Sequence, residues 1–359
     1  MTSFLDLVQM PKFREYTMTR LSGGSKNLYY GFSSTFPILF RYRSLSTYAI
    51  DDIINEQVTA TSIGEFNDLF DGAIHRYGND TEQEAAAEKK WTELEKLRIE
   101  ARLPVEILTQ DYYVSLYKNH FKKDSRLKFR LLDYLGTYVC CFSSKADSTL
   151  MWSHYANSNK GICIAYDFNK WEQGNLQRNL LFPVTYSDTP IDVSDLLEDE
   201  QQRLWEYPLE TAVLCAALNK ASVWSYENEW RLLLVLASSL ENTQRLPMKV
   251  FVKPSAIYFG NHFLKPCFYY DFKNSIEREN CEKNIKNIDR LLDYMIQNQV
   301  PAYVMTPNVG SYTLKSMSIE SQKLQGFIYK YFCDFMAQSM QYYTTIHDYL
   351  MNYIDGDYI

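Results

Sequence analysis

Two carboxylates and a guanidinium alternate along Ser225-Tyr226-Glu227-Asn228-Glu229-Trp230-Arg231, a stretch that opens a run of apolar residues. The run is too short for a helix, and it predicts a largely buried strand over residues 226–237. Successive strand side chains alternate between faces, so Glu227, Glu229 and Arg231 share one face, with the carboxylates roughly 7 Å apart. The pattern fits a chemical site, and it equally fits solvated charges at an emerging strand, with Arg231 neutralising Glu229.

A second cluster of polar side chains lies between two glycines, over residues 64–72. Its alternating acids and aromatics predict a tight loop that Phe66 and Phe70 pin to the core. Asn67 and Asp68 in such a loop commonly bond their own backbone. The acids of the two stretches include Asp68, Asp71, Glu227 and Glu229. Carboxylate clusters suit Mg²⁺ or Mn²⁺, so a metal-dependent hydrolase or nuclease is one interpretation, although the sequence has no His-rich ligand spacing.

The elements that must position these residues are short strands and a few helices in irregular order. A strand over residues 37–43 ends in Arg41 and Arg43 on one face, and a strand over residues 136–144 delivers Ser143 at its end. Further strands are predicted over residues 57–63, 162–168, 248–252, 256–260, 301–305 and 311–314, and helices over residues 44–55, 150–156 and 284–299. This order predicts an α+β fold with a central mixed or antiparallel sheet and flanking helices.

The composition is that of an ordinary globular protein, with 46% hydrophobic and 23% charged residues. The net charge of -7 argues against a main affinity for a nucleic-acid backbone. Seven cysteines without a C-x-x-C pair, and a start that does not read as a signal peptide, predict a reduced, cytoplasmic protein. No apolar run reaches the ~18 residues that cross a bilayer, so we expect no membrane partner.

The chain divides into three predicted parts. They are an N-terminal lead-in over residues 1–36, an α+β core over residues 37–316 and a C-terminal amphipathic helix over residues 317–359. A charged helical insertion, residues 81–134, ends in a basic run that is either a solvated face or a contact for nucleic acid or another acidic partner. The apolar stripe of the C-terminal helix packs on the chain's own core, on a partner protein or on a second copy.

Four boxes of residues resemble those of the bacterial family called "domain of unknown function 2971". They are Phe66-Asn67-Asp68-Leu69-Phe70-Asp71, Cys141-Phe142-Ser143, Met151-Trp152-Ser153-His154-Tyr155-Ala156 and Tyr226-Glu227-Asn228-Glu229-Trp230-Arg231. Their order and spacing resemble the family over about residues 38–315, with Leu69 where the family usually has proline. The family name carries no function.

The pattern is also similar to that of ADP-ribosyltransferases, which have an arginine on a first strand, a Ser-x-Ser-like strand and a Glu-x-Glu strand. The corresponding residues here are Arg43 (or Arg41), Phe142-Ser143-Ser144 and Glu227-Asn228-Glu229. This resemblance implies a split half-barrel sheet and an NAD-consuming transferase. Such an enzyme would modify a protein or a nucleic acid, in the manner of a bacterial toxin or a phage-defence effector.

The resemblance also implies roles. Cleavage of the nicotinamide–ribose bond makes the anomeric carbon cationic, and Glu229 would stabilise that charge. Glu227 would orient the acceptor or take its proton. The NAD-binding residues would be Arg43 or Arg41 on the pyrophosphate, Tyr155 or Trp152 on the nicotinamide ring, and Asn67, Asp68 and Ser143. For Trp152, a core anchor is the favoured interpretation. A non-catalytic sensor or assembly module of a defence system, whose boxes only hold the fold, is the remaining interpretation.

Overall fold

The computed structural model of the protein describes residues 36–68, 70–72, 74–75, 88–89, 91–92, 96, 110, 137–171, 180–192, 214–235, 248–264, 275–326 and 328. The lead-in predicted over residues 1–36 and the insertion predicted over residues 81–134 lie almost wholly outside these ranges. Of the predicted C-terminal helix, the structure describes residues 317–326 and 328. Helical residues begin at 321, later than predicted, because a strand continues to Ile319.

Short strands dominate the described residues. The strands are β1 Leu39–Arg43, β2 Gln57–Ser62, β3 Ile74–His75, β4 Thr137–Ser143, β5 Ile162–Tyr166, β6 Leu181–Pro183, β7 Thr185–Ser187, β8 Ile191–Asp192, β9 Asn219–Ala221, β10 Glu229–Val235, β11 Met248–Phe251, β12 Pro254–Phe259, β13 Ala302–Pro307 and β14 Leu314–Ile319. The helices are α1 Thr47–Ile54, α2 Thr149–His154 and α3 Ser275–Gln297, with a 3₁₀ turn over Ser222–Glu227.

Ten of these strands form one large sheet in the described part of the chain. Its order is β11-β2-β4-β1-β5-β12-β13-β14, with β10 paired between β4 and β6. Its pairs are antiparallel except for the parallel pair of β12 and β13. The structure therefore confirms the predicted α+β class with a central, mostly antiparallel sheet.

The sheet forks at β4. Along its whole length β4 pairs with β10 on one side. On the other side, β1 pairs with β4 only through Phe40 opposite Ser143, and β2 pairs with it only through Thr61 and Ser62, near the opposite end of the strand. The residues of β4 between these contacts have no strand partner on that side within the described residues. A gap therefore opens between β1 and β2, directly over the middle of β4.

Two helices cover one face of the sheet. Ser46 caps α1 by accepting a hydrogen bond from the Ala49 amide. The helix α3 packs against α1 and buries the predicted apolar positions Ile288, Leu291, Leu292 and Met295. Tyr48 of α1 is 81% exposed. None of the described helices has both the length and the apolar composition that crossing a membrane requires.

The predicted strand over residues 226–237 is wrong at its N-terminal end. Residues up to Glu227 form the 3₁₀ turn, and Asn228 takes a left-handed conformation with φ of 47° before β10 begins at Glu229. Asparagine tolerates this conformation because its short polar side chain bonds locally. The side-chain amide of Asn228 donates to the Tyr226 carbonyl oxygen. Glu227 and Glu229 therefore reach the same region from a turn and a strand.

Two further expectations are wrong. Phe70 does not pin the 64–72 loop to the core, since 65% of its side chain is exposed; Phe66 alone packs against the core. The strand predicted over residues 311–314 begins only at Leu314, because residues 308–313 form the turn between β13 and β14. Gly310 lies in that turn with φ of 84°, a conformation that favours glycine.

We expect Gly161→Ala to destabilise the protein by about 1–3 kcal/mol or more. An added Cβ would lie 2.2 Å from the Arg43 carbonyl oxygen and 3.0 Å from that of Ala156, so the backbone of β1 would have to move. Urea unfolding measures the effect. Val309→Ala, at a fully solvated position of the β13–β14 turn, serves as the control and should change stability by less than about 0.5 kcal/mol. Equal stability of the two variants would contradict this packing.

Candidate active site in the forked sheet

A cavity of about 200 Å³ opens in the gap between β1 and β2. Seven of the residues predicted for the site lie on its wall: Arg41, Arg43, Asn67, Ser143, Tyr155, Glu227 and Glu229. Two further charged residues, Asp71 and Lys220, complete its carboxylate-rich end. The structure therefore brings together residues from several separate regions of the chain around one concave space.

The two glutamates are joined by a buried lysine. The Lys220 ammonium donates to Glu227 Oε2 at 2.6 Å and to Glu229 Oε2 at 3.0 Å. Lys220 belongs to β9, whose parallel partner β7 carries Tyr186 directly opposite it. The Tyr186 hydroxyl accepts a hydrogen bond from the Glu229 amide at 2.8 Å, which ties the small β7–β9 sheet to the first residue of β10.

A buried arginine fixes the other side of Glu229. Arg231 is fully buried, and its guanidinium donates to Glu229 from Nε at 2.8 Å and from Nη2 at 3.1 Å. The same group meets Asp71 through two bonds of 2.7 and 2.6 Å, and Nη1 also donates to the Ala217 carbonyl oxygen. The centre of the Phe66 ring lies 5.5 Å from the guanidinium carbon. The expected neutralisation of Glu229 by Arg231 is therefore present, but inside the protein.

The pKa values of the two glutamates are shifted in opposite directions. Burial alone would raise the pKa of Glu229, but Arg231 and Lys220 outweigh it and lower that pKa to about 2. Burial raises the pKa of Glu227, Lys220 opposes this, and the Glu229 charge adds to it, so the pKa lies above its ordinary value. Burial disfavours the charged form of Lys220, yet the surrounding carboxylates raise its pKa. Glu229 is thus a permanent anion, and Glu227 is the better proton acceptor.

Two hydroxyl groups position Glu227. The Tyr155 hydroxyl donates to Glu227 Oε1 at 2.6 Å, and burial together with this bond raises the pKa of Tyr155. The Ser143 hydroxyl donates to the Glu227 main-chain oxygen at 2.6 Å and accepts from the Lys145 amide. Ser143 is itself buried, so in this structure it holds the turn that carries Glu227.

The two arginines of β1 belong to the residues that line the cavity, but their side chains leave from the sheet face opposite to that of Glu229. Phe40 lies opposite Ser143, which lies opposite Glu229, so these three side chains share a face and Arg41 and Arg43 leave from the reverse face. Arg41 donates to the Thr59 carbonyl oxygen at 2.8 Å and lies 6.0 Å from the centre of the Phe142 ring. Burial lowers the pKa of Arg43, and the charge of Arg41 lowers it further. Neither forms an ion pair with a carboxylate in the described ranges.

Two predicted site residues lie elsewhere. Trp152, a residue of α2, is fully buried, donates its indole N–H to the Ala146 carbonyl oxygen and packs edge-on against Tyr42. It is a core anchor and is not among the residues that line the cavity. Asp68 does not reach the cavity wall; its Oδ1 accepts from the Phe70 amide, the local bond that acids commonly form in turns.

The most important residue that sequence reasoning missed is Lys220. It lies at the centre of the site in β9, a strand that is not among those predicted from the sequence. A signal was present, because Lys220 is the single charged residue between Glu210 and Glu227 in an otherwise apolar stretch. A lysine in such a stretch must be either exposed or paired with carboxylates.

Among the described residues, the acids of the site are bonded to cationic side chains. No group of three or more His, Cys, Asp or Glu side chains in the described parts of the chain could hold a metal ion. The carboxylates of Asp71, Glu227 and Glu229 instead bond to Lys220 and Arg231, which supply the positive charge a metal would otherwise bring.

The fold and site define an α+β protein with a carboxylate-lined cavity in a forked sheet. Residues 151–232 match the model of the family described as "Protein of unknown function (DUF2971)". The match confirms the predicted resemblance to this family, although over a shorter range than residues 38–315. It begins in α2, ends in β10, and contains Tyr155, Lys220, Glu227, Glu229 and Arg231. No curated protein and no solved structure matches the chain.

We expect Glu229→Gln to lose stability in a pH-dependent manner. The folded pKa of about 2 lies below the ordinary 4.5, so the stabilisation by this carboxylate, about 3 kcal/mol, is complete above pH 4.5 and is lost as the pH falls toward 2. The difference in unfolding free energy between wild type and Glu229→Gln should therefore shrink over that interval. Urea unfolding at a series of pH values measures it.

Glu227→Gln supplies the matched comparison. Because the pKa of Glu227 is raised by folding, its contribution is largest below pH 4.5 and falls as the pH rises through the folded pKa. The two variants should therefore show opposite pH trends. Parallel trends would contradict the division of charge between the two glutamates.

Proposed function

We propose that the chain is an NAD-consuming, ADP-ribosyltransferase-like enzyme whose active site is the cavity in the forked sheet. The observation that carries the proposal is the pair Glu227 and Glu229 on one cavity wall, with pKa values shifted in opposite directions. Pairs of carboxylates separated in this way are typical of sites that use one as a fixed charge and the other for proton transfer.

The charge of the cluster suits a reaction that creates a cation. Three carboxylates, those of Asp71, Glu227 and Glu229, face two cations, Lys220 and Arg231, and leave one net negative charge. Because the cluster is buried and its members are held by short hydrogen bonds, this charge needs no rearrangement to act on a cationic centre.

The proposed reaction breaks the bond between the ribose anomeric carbon and the nicotinamide nitrogen. The bonding electron pair leaves with the nitrogen, so nicotinamide departs neutral and the anomeric carbon becomes cationic next to Glu229. The acceptor nucleophile forms a new bond to that carbon and gives its proton to Glu227. The acceptor is a protein or a nucleic acid group, and water would give hydrolysis instead.

The size of the cavity selects one end of the dinucleotide. At about 200 Å³ it is smaller than the ~300–1,000 Å³ of sites that enclose drug-sized ligands, so it suits the nicotinamide riboside end alone. The rings of Phe40 and Tyr155 on the wall offer surfaces for the cationic nicotinamide ring. Arg41 and Arg43, which have no carboxylate partner within the described residues, are suited to the pyrophosphate at the gap in the sheet.

We relate the fork at β4 to the split half-barrel sheet that the resemblance to ADP-ribosyltransferases implies. We propose that NAD binds at this fork, where the strands part. An enzyme that consumes NAD or modifies an acceptor would suit a toxin or a phage-defence effector, and we extend the proposal to that setting.

The complete burial of Arg231 favours one competing interpretation. A bidentate pair with Asp71 and two further bonds to Glu229 could serve only to hold the fold, as expected of a non-catalytic sensor or assembly module. In that case the cavity would bind no NAD. Both interpretations require a folded site, so folding does not distinguish them. They differ in whether the protein turns over NAD.

We expect wild-type protein, supplied with NAD and with candidate protein and nucleic acid acceptors, to release nicotinamide. Glu227→Gln should lower the rate by about 10²–10⁴-fold because it removes the proton acceptor. Glu229→Gln should lower it by about 10²–10³-fold because it removes the charge that faces the cationic carbon. Chromatography of nicotinamide measures the rates.

Val223→Ala is the matched control, since this exposed residue lies on the same 3₁₀ turn as Glu227 but outside the cavity. It should keep the wild-type rate. Absence of nicotinamide release by wild type with every acceptor source, together with no effect of NAD on its melting temperature, would overturn the proposed function.

A further inference from the structure

A buried lysine connects the two carboxylates of the site. The Lys220 ammonium lies 2.6 Å from Glu227 Oε2, 3.0 Å from Glu229 Oε2 and 3.7 Å from Asp71 Oδ2. Its side chain lines the cavity, and the centre of the Trp224 ring lies 5.1 Å from the ammonium. A lysine this deeply buried is tolerated only beside carboxylates, so the glutamates and the lysine hold one another in place.

The two glutamates share their cations unequally. Glu229 bonds to both Arg231 and Lys220. Within the described residues, the cation bonded to Glu227 is Lys220 alone, and the other side-chain partner of its carboxylate is the neutral Tyr155 hydroxyl. Loss of the lysine charge would leave Glu229 paired with Arg231 but would leave Glu227 as a buried carboxylate without a counter-charge.

The other groups that face Glu227 do not supply that counter-charge. They are Tyr155 from the end of α2, Tyr186 from β7, Glu229 from β10 and Tyr226 from the same 3₁₀ turn. Burial raises the pKa of each of these tyrosines, so they remain neutral near pH 7. The negative charge of Glu229 favours protonation of Glu227. Lys220 is therefore the group that opposes it by charge.

We propose that Lys220 is a positioning residue that gives the two carboxylates different roles. It holds Glu227 ionised and fixed between itself and Tyr155, ready to accept a proton, whereas Glu229 stays ionised through Arg231 without the lysine. The catalytic meaning of this division rests on the proposed function. The charge division itself does not depend on NAD, so it can be measured separately.

The test is a ¹³C NMR titration of the glutamate side-chain carboxylates in the full-length chain. Spectra of Glu227→Gln and Glu229→Gln assign the two signals. In Lys220→Met the titration midpoint of Glu227 should move upward while that of Glu229 stays below the range of ordinary glutamates. Lys220→Arg, which keeps the charge, should restore the wild-type order. Lys170→Met removes an exposed lysine outside the site and should move neither midpoint.

Tyr155→Phe gives a graded comparison, because it deletes a hydrogen bond to Glu227 but no charge. The upward movement of the Glu227 midpoint should be smaller than in Lys220→Met. If Lys220→Met does not fold, Lys220→Gln replaces it, with circular dichroism as the check. Equal movement of both glutamate midpoints in the charge-deleting variant, or an unchanged Glu227 midpoint, would overturn the proposal.

Turnover supplies the second readout. Lys220→Met should move the acidic limb of the pH–kcat profile upward, and a limb that moves by one pH unit lowers the rate at any pH below it about tenfold. Lys220→Arg should rescue the profile. A purely structural lysine would change the rate without moving the limb. If no variant turns over NAD while the NMR midpoints move as expected, the proposed function fails and the charge division stands.

Discussion

The constraint on which the rest of the structure depends is the burial of the Arg231 guanidinium. A fully buried cation is tolerated only when its charge and its hydrogen bonds are met, and here Asp71, Glu229 and the Ala217 carbonyl oxygen meet them. Breaking such a pair typically costs about 3–5 kcal/mol, so the 64–72 loop cannot leave β10 without a large loss of stability. The arginine thereby fixes the wall of the cavity and one of its two glutamates.

The second requirement is the fork of the sheet at β4. If β1 and β2 both paired fully with β4, the space over the middle of that strand would be filled by main chain. Because each pairs through only one or two residues, the middle of β4 stays open on that side, and residues of β1, β4 and the 3₁₀ turn line a common cavity. Packing supplies the space, and the buried charges determine which ligand chemistry suits it.

The sequence predicted which residues form the site better than it predicted how they are arranged. Alternation along one strand was expected to align Glu227, Glu229 and Arg231, but Asn228 turns the chain and Glu227 arrives from a 3₁₀ turn. The residues meet because Lys220, from a separate strand, bonds both glutamates, and a local pattern contains no information about such a contact. Phe70 differs from its expected environment for the same reason, since burial depends on neighbours that are distant in the sequence. Helix α1 was predicted well because its cap is local.

The central claim is that the carboxylate end of this cavity receives the cationic ribose of NAD. The most direct measurement is a crystal structure of the Glu227→Gln protein with NAD, in which slow turnover preserves the substrate. The account predicts that the nicotinamide riboside lies in the gap between β1 and β2, with its anomeric carbon beside Glu229 and its pyrophosphate toward Arg41 and Arg43. NAD bound at another surface, or a cavity without NAD at saturating concentration, would contradict it.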